Sequence, residues 1–328
     1  MNAAGNARAR LARFVIPFIV ATLPGWAISQ SYPSKPVRII IPAPPGGGID
    51  GLARLLSASL AQELGGQPVT TENRGAASGI VGSEAVARSA PDGYTLLLGS
   101  NATFSINPVT FASLPYDPLK SFAGIAQISS QPLLLTVHPD RPVHSLADLV
   151  ALAKAQPGKL NYATTGAATL LTIGYLSSAA GIKMQDIPYQ GLGPALPDAI
   201  SGRIDVLMAT IATTLPHVRS AKLRAIGITS EKRSSLATDI PSIAEQGYPG
   251  FDVAIWTALA APAGTPGTVI DRLNGAAIKM LALPETREAM ARQGIEPAPS
   301  SAAQLNNRIR DEILRWQKVA KEVGMKPQ

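Results

Sequence analysis

The groups best placed to do chemistry in this 328-residue chain are backbone amides rather than reactive side chains. A strand pattern at 38–41 runs into the segment PAPPGGGID at 42–50, and an amphipathic helical pattern continues to residue 64. A strand that enters a glycine loop and then a helix leaves N–H groups, with partial positive charge, at the start of that helix. The pattern predicts an anion site. No lysine follows the glycines and no Gly-x-Gly-x-x-Gly spacing is present, which favours an anion smaller than a nucleotide.

A second strand, loop and helix pattern occurs later in the chain. A strand pattern at 160–163 leads into the segment TTGAAT at 164–169, and a helical pattern then stops at Gly181. A further polar stretch, GSN at 99–101, follows the strand pattern at 94–98. Open α/β sheets bind ligands beyond the carboxyl ends of their strands, so ligand binding is expected along this edge.

The alternation of strand and helix patterns predicts the fold class. Short β-branched or leucine-rich runs alternate with helical patterns almost from end to end, which is typical of an α/β fold with a parallel or mixed sheet and helices on both faces. A helix start is indicated by SLAD at 145–148, and apolar residues recur every three or four positions over 302–323. No linker composition marks a domain boundary, so strands that cross between two lobes must form it.

The residues of common catalytic and metal sites are scarce. The chain has three histidines and no cysteine, and neither His138 nor His217 lies in a metal-ligand pattern. The Gly-x-Ser-x-Gly turn of a Ser-His-Asp hydrolase is not present. We therefore expect a protein that is not an enzyme and has no metal or cofactor.

The amino-terminal segment predicts export. Arg8, Arg10 and Arg13 precede an apolar run at 14–23 and the small residues at 27–29, which is the layout of a cleavable signal peptide. The mature chain is expected to begin near Gln30. An uncleaved membrane anchor is the alternative, disfavoured because the run is short and contains Pro17. Without cysteine there is no disulfide and no lipid anchor, so we expect a freely diffusing periplasmic protein.

The charge of the chain is only mildly informative about partners. The formal net charge of +7 includes the three signal arginines, so the mature chain carries +4. A slightly basic surface suits an anionic ligand, but it equally suits an ordinary solvated surface. Basic clusters interleaved with aromatic residues are missing, so nucleic acid is not expected as a partner. We expect a monomer.

A series of short motifs, in order along the mature chain, resembles one protein family. They are PAPPGGGID at 42–50, ENR at 72–74 with Gly79, APDGYTLL at 90–97, PYDP at 115–118, PGKLNYA at 157–163, PYQG at 188–191, GRID at 202–205 and APAGTP at 261–266. Together they resemble the Bug-type periplasmic substrate-binding proteins of tripartite tricarboxylate transporters. The resemblance covers essentially the whole mature chain.

This resemblance implies a two-lobed periplasmic-binding-protein fold of type II, a Venus flytrap with two crossing hinge strands. The first lobe would comprise 30–133 and 252–328, and the second 134–251, after a signal peptide at 1–29. The family typically delivers small carboxylated solutes to a permease of one large and one small subunit. Two helix-start loops commonly hold one ligand carboxylate, partly through ordered water.

The predicted ligand-binding residues combine the two loops with polar side chains beside them. They are Pro44, Pro45, Gly46, Gly47, Gly48, Ile49, Asp50, Ser100, Asn101, Thr165, Gly166, Ala167, Thr169, Tyr189 and Asp205. Structural alternatives stay open for the polar members. The hydroxyl and amide groups also suit turns or caps, Asp50 suits a cap of its own helix, Tyr189 suits a core, and Asp205 suits a loop anchor.

Two departures from the family pattern concern the ligand. Ile49 stands where relatives usually carry a hydroxyl residue, and the second-lobe helix offers Leu171 or Thr172 where they carry a histidine. The pocket is therefore expected to be less polar. The hypothesis is a ligand with an apolar or aromatic portion beside its carboxylate, with tricarboxylates such as citrate disfavoured.

Two other functions remain as alternatives to solute uptake. The same fold serves as the periplasmic sensor of a signalling system, which gene neighbourhood would distinguish. An exported α/β hydrolase or isomerase using carboxylates in the cleft is the third, and it would return its ligand chemically changed.

Overall fold

The computed structural model describes residues 32–327. The predicted signal peptide and its cleavage site near Gln30 lie outside the described residues. Among the described residues, every helix is too short or too polar to cross a membrane.

The described chain alternates strands and helices. The strands are β1 Val37–Ile41, β2 Val69–Asn73, β3 Thr95–Ser100, β4 Phe122–Val137, β5 Asn161–Thr164, β6 Gln185–Pro188, β7 Val206–Thr210, β8 Arg224–Ile228, β9 Ala254–Pro262 and β10 Glu296–Pro297. The helices are α1 Gly48–Glu63, α2 Ile80–Ala87, α3 Asn107–Thr110, α4 Leu146–Ala155, α5 Ala167–Ala180, α6 Leu192–Ile200, α7 Ile211–Arg219, α8 Gly267–Ala282, α9 Pro284–Arg292 and α10 Ala302–Glu322. A 3₁₀ turn at Ala77–Gly79 precedes α2, and a π-helical turn at Ala102–Ile106 precedes α3.

One long strand, β4, belongs to both halves of the sheet. The sheet order is β2-β1-β3-β9-β4-β7-β5-β6, and β8 and β10 also pair with β4. The first part of β4, as far as Pro132, pairs antiparallel with β9, whereas the part from Leu133 onward pairs antiparallel with β7 and β8. The β1–β2, β1–β3, β5–β6 and β5–β7 pairs are parallel. The sheet is therefore mixed, and its partners change in the middle of one strand.

The hydrophobic core is divided in the same way. Strands β1 and β3 pack with α1 and α8, around fully buried side chains such as Ile41 and Leu273. A separate cluster joins the second part of β4 to α4 and α5, around Leu135 and Leu171. Burying apolar side chains on each half of the sheet is the main favourable contribution to folding.

The helix α10 contributes to both halves. Its amino-terminal residues Leu305 and Ile309 pack near Trp256 in the first half, whereas Trp316 and Val319 pack in the cluster that contains Leu171. The contact between α10 and α5 is close. A Cβ added to Gly174 of α5 would overlap the side chain of Val323, which directly follows α10. The lobe boundaries expected at 133/134 and 251/252 remain a prediction, and α10 lies across both halves.

Thr229, directly after β8, ties together the two segments that cross between the halves. Its Oγ1 accepts a hydrogen bond from the N–H of Leu133 at 2.9 Å and donates one to the carbonyl oxygen of Val253 at 2.7 Å. Its own N–H donates to the Leu133 carbonyl at 3.0 Å, and its carbonyl accepts from the Val253 N–H at 2.9 Å. Thr229 is fully buried. Buried backbone N–H and C=O groups are almost always hydrogen-bonded, and here Thr229 supplies the hydrogen-bond partners of both Leu133 and Val253.

The carboxylate of Glu296, in β10, forms another link between the halves. Its Oε1 accepts hydrogen bonds from the Ser234 hydroxyl at 2.7 Å, the Ser235 N–H at 2.8 Å and the Ser235 hydroxyl at 2.7 Å. Strand β10 pairs with the first part of β4, whereas Ser234 and Ser235 follow β8. Hydrogen bonds to a charged acceptor are stronger than those between neutral groups. The Glu296 carboxylate therefore stabilises the contact between β10 and the segment that follows β8.

Most predicted elements are confirmed, with two informative differences. The hydroxyl of Ser145 accepts from the Asp148 N–H at 3.2 Å and caps α4 as predicted, and α5 ends at Gly181 in left-handed conformation. The stretch 99–101 is not a loop through its whole length, because β3 continues to Ser100 by pairing with Thr257. Helix α7, which contains Pro216, was not indicated by the sequence pattern.

Candidate functional site

A cavity of about 580 Å³, called here the central cavity, lies between the two halves. Its first wall comes from the 3₁₀ turn, the π-helical turn and α3, and its second from the start of α5 and from β6. The lining residues are Ser78, Ala102, Ile106, Asn107, Thr110, Phe111, Thr164, Gly166, Ala167, Ala168, Leu170, Asp186, Pro188, Met325 and Lys326. A volume of this size accommodates a small metabolite.

The loop at 164–169, called here the α5 loop, forms one end of the central cavity. Gly166 precedes α5 with φ 146°, a backbone conformation that favours glycine. The hydroxyl of Thr169 accepts from the Thr165 N–H at 2.9 Å and donates to the Gly166 carbonyl at 2.9 Å, which holds the loop in place. The first amides of a helix have no acceptor within it, so Ala167 and Ala168 present N–H groups where they line the cavity. This wall suits an anion.

The loop at 44–50, called here the α1 loop, is exposed except near its end. Gly46 has φ 84°, and its N–H donates to Asp50 Oδ2 at 2.9 Å. The Asp50 carboxylate is buried and also pairs with Arg54 Nε at 3.1 Å. These bonds lower the pKa of Asp50, the Gly46 N–H having the largest effect and the Arg54 hydrogen bond the next. In this structure the Asp50 carboxylate is directed at its own loop.

The α1 loop does not itself line the central cavity, but a neighbouring turn connects the two. Gly75 lies so close to Ala43 and Pro44 that any side chain at this position would overlap them. Three residues later, Ser78 lines the cavity with φ 55°, and its carbonyl accepts from Asn107 Nδ2 at 3.1 Å. The turn at 75–79 therefore lies between the α1 loop and the cavity wall.

The polar residues predicted on β3 lie beside the central cavity rather than in its wall. Ser100 is half-buried in β3, opposite Thr257. Asn101 is buried, its Nδ2 lies 3.5 Å from the Ala254 carbonyl, and its own carbonyl accepts from the Ser105 hydroxyl at 3.0 Å. The next residue, Ala102, reaches the cavity.

Tyr189 is engaged with other protein groups in this structure. Its hydroxyl donates to Asp198 Oδ2 at 2.8 Å, and its ring packs on the cluster that contains Leu207. Burial, followed by the Asp198 hydrogen bond, raises the pKa of Tyr189.

Asp205 forms a reciprocal pair with Asn161, at the start of β5. The Asn161 N–H donates to Asp205 Oδ2 at 2.9 Å, and the Asp205 N–H donates to Asn161 Oδ1 at 2.8 Å. Arg141 forms an ion pair with Asp205 Oδ1. The α5 loop begins at the other end of this strand, so Asp205 lies away from it.

The structure shows where the residues that depart from the family pattern lie. Ile49 is half-buried and packs on the core around α1, and Leu171 and Thr172 are buried on α5. The α5 side chain that reaches the central cavity is Leu170. The other α5 residues that line the cavity are Ala167 and Ala168, so Thr169 and the polar residues that follow it are not part of this lining.

Several cavity residues were not identified from the sequence. Ser78, Asn107, Phe111 and Asp186 come from elements far apart in the chain, and tertiary packing brings them together. Asp186 accepts a hydrogen bond from the Thr164 hydroxyl and, with burial, which has the larger effect, raises the pKa of Tyr162 to about 12. Local spacing carries no signal for such a set, although Asp186 is the first residue of the segment 186–189 that the sequence pattern singled out.

Two α/β halves joined by crossing strands, with a cavity between them that is lined in part by the start of a helix, are the architecture of a solute-binding protein. The family described as tripartite tricarboxylate transporter family receptor matches residues 52–325, and the chain belongs to this family. These receptors are periplasmic binding proteins.

Relatives and solved structures agree with this assignment. The protein BugT of Bordetella pertussis is 38% identical over 303 residues, which cover 91% of this chain and 92% of BugT. A Rhodopseudomonas palustris protein solved with adipate is 30% identical, with a TM-score of 0.72 over 90% of this chain and 100% of that one. MatC from the same organism, solved with bound malate, is 30% identical, with a TM-score of 0.67 over 88% and 99% of the two chains.

Proposed function

We propose that this protein captures a small carboxylate in the central cavity and delivers it to the membrane permease of a tripartite tricarboxylate-type transporter. The observation that carries the proposal is the position of the α5 loop. It places the start of a helix in one wall of the central cavity, and the opposite wall comes from the other half of the chain. Helix amino termini bind anions because their N–H groups are unpaired and the helix dipole is positive there. The adipate and malate held by two relatives support a carboxylate.

In this proposal, ligand binding also closes the two halves of the molecule around the ligand. The α5 loop holds the carboxylate through Thr165, Gly166 and Ala167, and the α1 loop approaches from the other half. A conformation is favoured only to the extent that the ligand binds it better, so contacts with both loops select the closed form. Each hydrogen bond to the carboxylate contributes about 1.5–3 kcal/mol. The permease then recognises the closed form.

The direct test is to identify the ligand. Mass spectrometry of solute released from freshly purified protein should show a small carboxylate, chemically unchanged after incubation. Thermal unfolding with a panel of carboxylates should then give a higher Tm with the same compound. A ligand without a carboxylate, or one converted to a product, would overturn the proposal.

Variants in the two loops test the location of the site. Gly47→Val should block the α1 loop without disturbing packing, because the nearest atom to a new Cβ is the Pro44 carbonyl oxygen at 3.7 Å. Thr165→Val removes a hydroxyl beside the α5 loop amides. Both should abolish the ligand-induced rise in Tm and leave the Tm of the free protein nearly unchanged.

Matched controls exist for both variants. Thr70→Val changes an exposed threonine of β2, and Gly267→Val changes a glycine at the start of α8 with open space around it. Both controls should bind as the unmodified protein does. If Gly47→Val and Thr165→Val also keep full affinity, the site lies elsewhere.

We further propose that the protein is exported by a cleaved signal peptide and acts as a monomer without a lipid anchor. The amino-terminal sequence of protein purified from the periplasm should begin near Gln30. Light scattering after gel filtration should give the mass of one chain. A retained signal or a dimer would contradict these two points separately.

A further inference from the structure

We propose that the central cavity selects a zwitterionic monocarboxylate with an apolar body, such as an apolar amino acid, and that Asp186 binds its cationic nitrogen. The inference rests on the proposed function, that is, on a carboxylate in this cavity. It assigns a second ligand contact and narrows the class of solute.

The first support is the position of Asp186. Its exposed carboxylate lines the central cavity and accepts a hydrogen bond from Thr164, the residue at the start of the α5 loop. Within residues 32–327, no lysine, arginine or histidine forms an ion pair with it. A negative charge therefore stands in the same wall as the anion-binding amides. A ligand carboxylate alone meets a like charge there, whereas a ligand that also carries an ammonium meets an opposite one.

The second support is the remainder of the wall. Ile106, Phe111, Leu170 and Met325 give it a mainly apolar surface, and among residues 32–327 the one cationic side chain lining it is Lys326. The charged side chains of the lining thus comprise one anion and one cation. A zwitterion matches this balance, and its apolar body has side chains to pack against. A dicarboxylate would place a second negative charge near Asp186 with Lys326 as its only cationic partner.

Two pairs of compounds isolate the contribution of the ligand's ammonium group to binding. Leucine and 4-methylpentanoate share a carbon skeleton, as do phenylalanine and 3-phenylpropanoate, and each pair differs only in the α-ammonium group. Calorimetric titration of the unmodified protein should show the amino acid of the pair that fits binding about tenfold more tightly than its deaminated partner, since a hydrogen bond to a charged group is worth at least that factor. Adipate should bind more weakly than either amino acid.

A variant of Asp186 tests the residue itself. Asp186→Asn removes the charge and keeps the shape, so it should weaken binding of the amino acid about tenfold and leave that of its deaminated partner equal or stronger. Asp140→Asn is the control, because Asp140 is 91% exposed and lies outside the cavity lining. It changes the net charge of the protein equally and should leave both affinities unchanged.

The outcomes separate this inference from the proposed function. If the deaminated acids or adipate bind as tightly as the amino acids, the inference is wrong while a carboxylate site stands. An equal loss of both members of a pair in Asp186→Asn would assign the residue a structural role and overturn its recognition role. If none of the probes binds and the solute released from purified protein is not a carboxylate, the proposed function itself fails. The titrations of the unmodified protein identify the ligand class even if Asp186→Asn lowers the stability of the variant.

Discussion

The hydroxyl of Thr169 fixes the geometry of the α5 loop, because it bonds both Thr165 and Gly166. Thr169→Val keeps the shape of the side chain but removes both bonds. A typical intramolecular hydrogen bond contributes about 0.5–1.5 kcal/mol to stability, so the expected loss is small. We expect a slightly lower Tm together with a clear loss of carboxylate affinity, measured by thermal unfolding and calorimetry.

Thr169→Ser is the matched control for this prediction. A serine hydroxyl can make the same two bonds, so its affinity should stay near that of the unmodified protein. If Thr169→Val binds as well as Thr169→Ser, the hydroxyl does not organise the site.

Asp50 makes the α1 loop sensitive to acid. The Gly46 N–H and Arg54 lower its pKa in the folded protein below the ordinary value of about 3.9. A depressed pKa means that the carboxylate stabilises the fold above the unfolded pKa, and that this stabilisation is lost as the pH falls through the folded pKa. Asp50→Asn should therefore lower the Tm at pH 7 by more than at pH 3.

The control for Asp50 is Asp271→Asn, which changes an exposed aspartate in α8. Its Tm should follow that of the unmodified protein across the same pH range. An Asp50→Asn difference that is constant with pH would mean that the ionised carboxylate does not hold the loop.

At the scale of elements, α10 is fixed to the sheet by the buried carboxylate of Glu312. It accepts hydrogen bonds from Trp256 Nε1 at 2.8 Å, the Ser105 hydroxyl at 2.8 Å and Arg308 Nε at 3.0 Å. Glu312→Leu would leave Trp256 Nε1 and the charged Arg308 Nε without this acceptor, whereas the Ser105 hydroxyl would keep the Asn101 carbonyl. Breaking a buried charged pair on one side costs about 3–5 kcal/mol. Urea unfolding should show a loss of this size.

Glu322→Leu, at the exposed end of the same helix, is the control for Glu312. An exposed substitution away from special features changes stability by about 0.5 kcal/mol or less. A similarly small loss for Glu312→Leu would show that the network does not anchor α10.

The elements that were predictable from sequence are those whose signal is local. The Ser145 cap and the glycine stop of α5 depend on neighbours a few residues away, and both patterns were confirmed. The full length of β4 was not predictable, because its first part is a strand by virtue of pairing with β9 and β10, which come much later in the chain. Helix α7 contains Pro216, which weakens a helical pattern.

The same distinction applies to the candidate site. The α5 loop could be located because strand, loop and helix are contiguous. Ser78, Asn107 and Asp186 could not, because they reach the central cavity only through packing such as that of Gly75 on Pro44. Ligand-binding roles for the α1 loop, the α5 loop, Ser100, Asn101, Tyr189 and Asp205 all remain predictions.

At the scale of the whole molecule, Glu296 limits how the halves move relative to each other. Its three hydrogen bonds to Ser234 and Ser235 join the halves a few residues after Thr229, which is hydrogen-bonded to both crossing segments. Glu296→Ala should widen the distribution of distances between the halves in the free protein. Because the chain has no cysteine, spin labels on Lys279→Cys and Lys222→Cys, one in each half, can report that distance without background.

Glu285→Ala removes an exposed carboxylate from α9 and serves as the control. Pulsed spin-label measurements should give it the distance distribution of the unmodified protein. Identical distributions for Glu296→Ala would show that the carboxylate does not restrain the halves.

The position of β9 between β3 and β4 has a consequence for the order in which the polypeptide acquires structure. The strands made first cannot complete their side of the sheet until residues 254–262 have been synthesised. Pairing between such distant segments slows folding and leaves strand edges exposed in the meantime. A nascent chain of this topology thus cannot complete this side of the sheet until about four fifths of its residues have been synthesised.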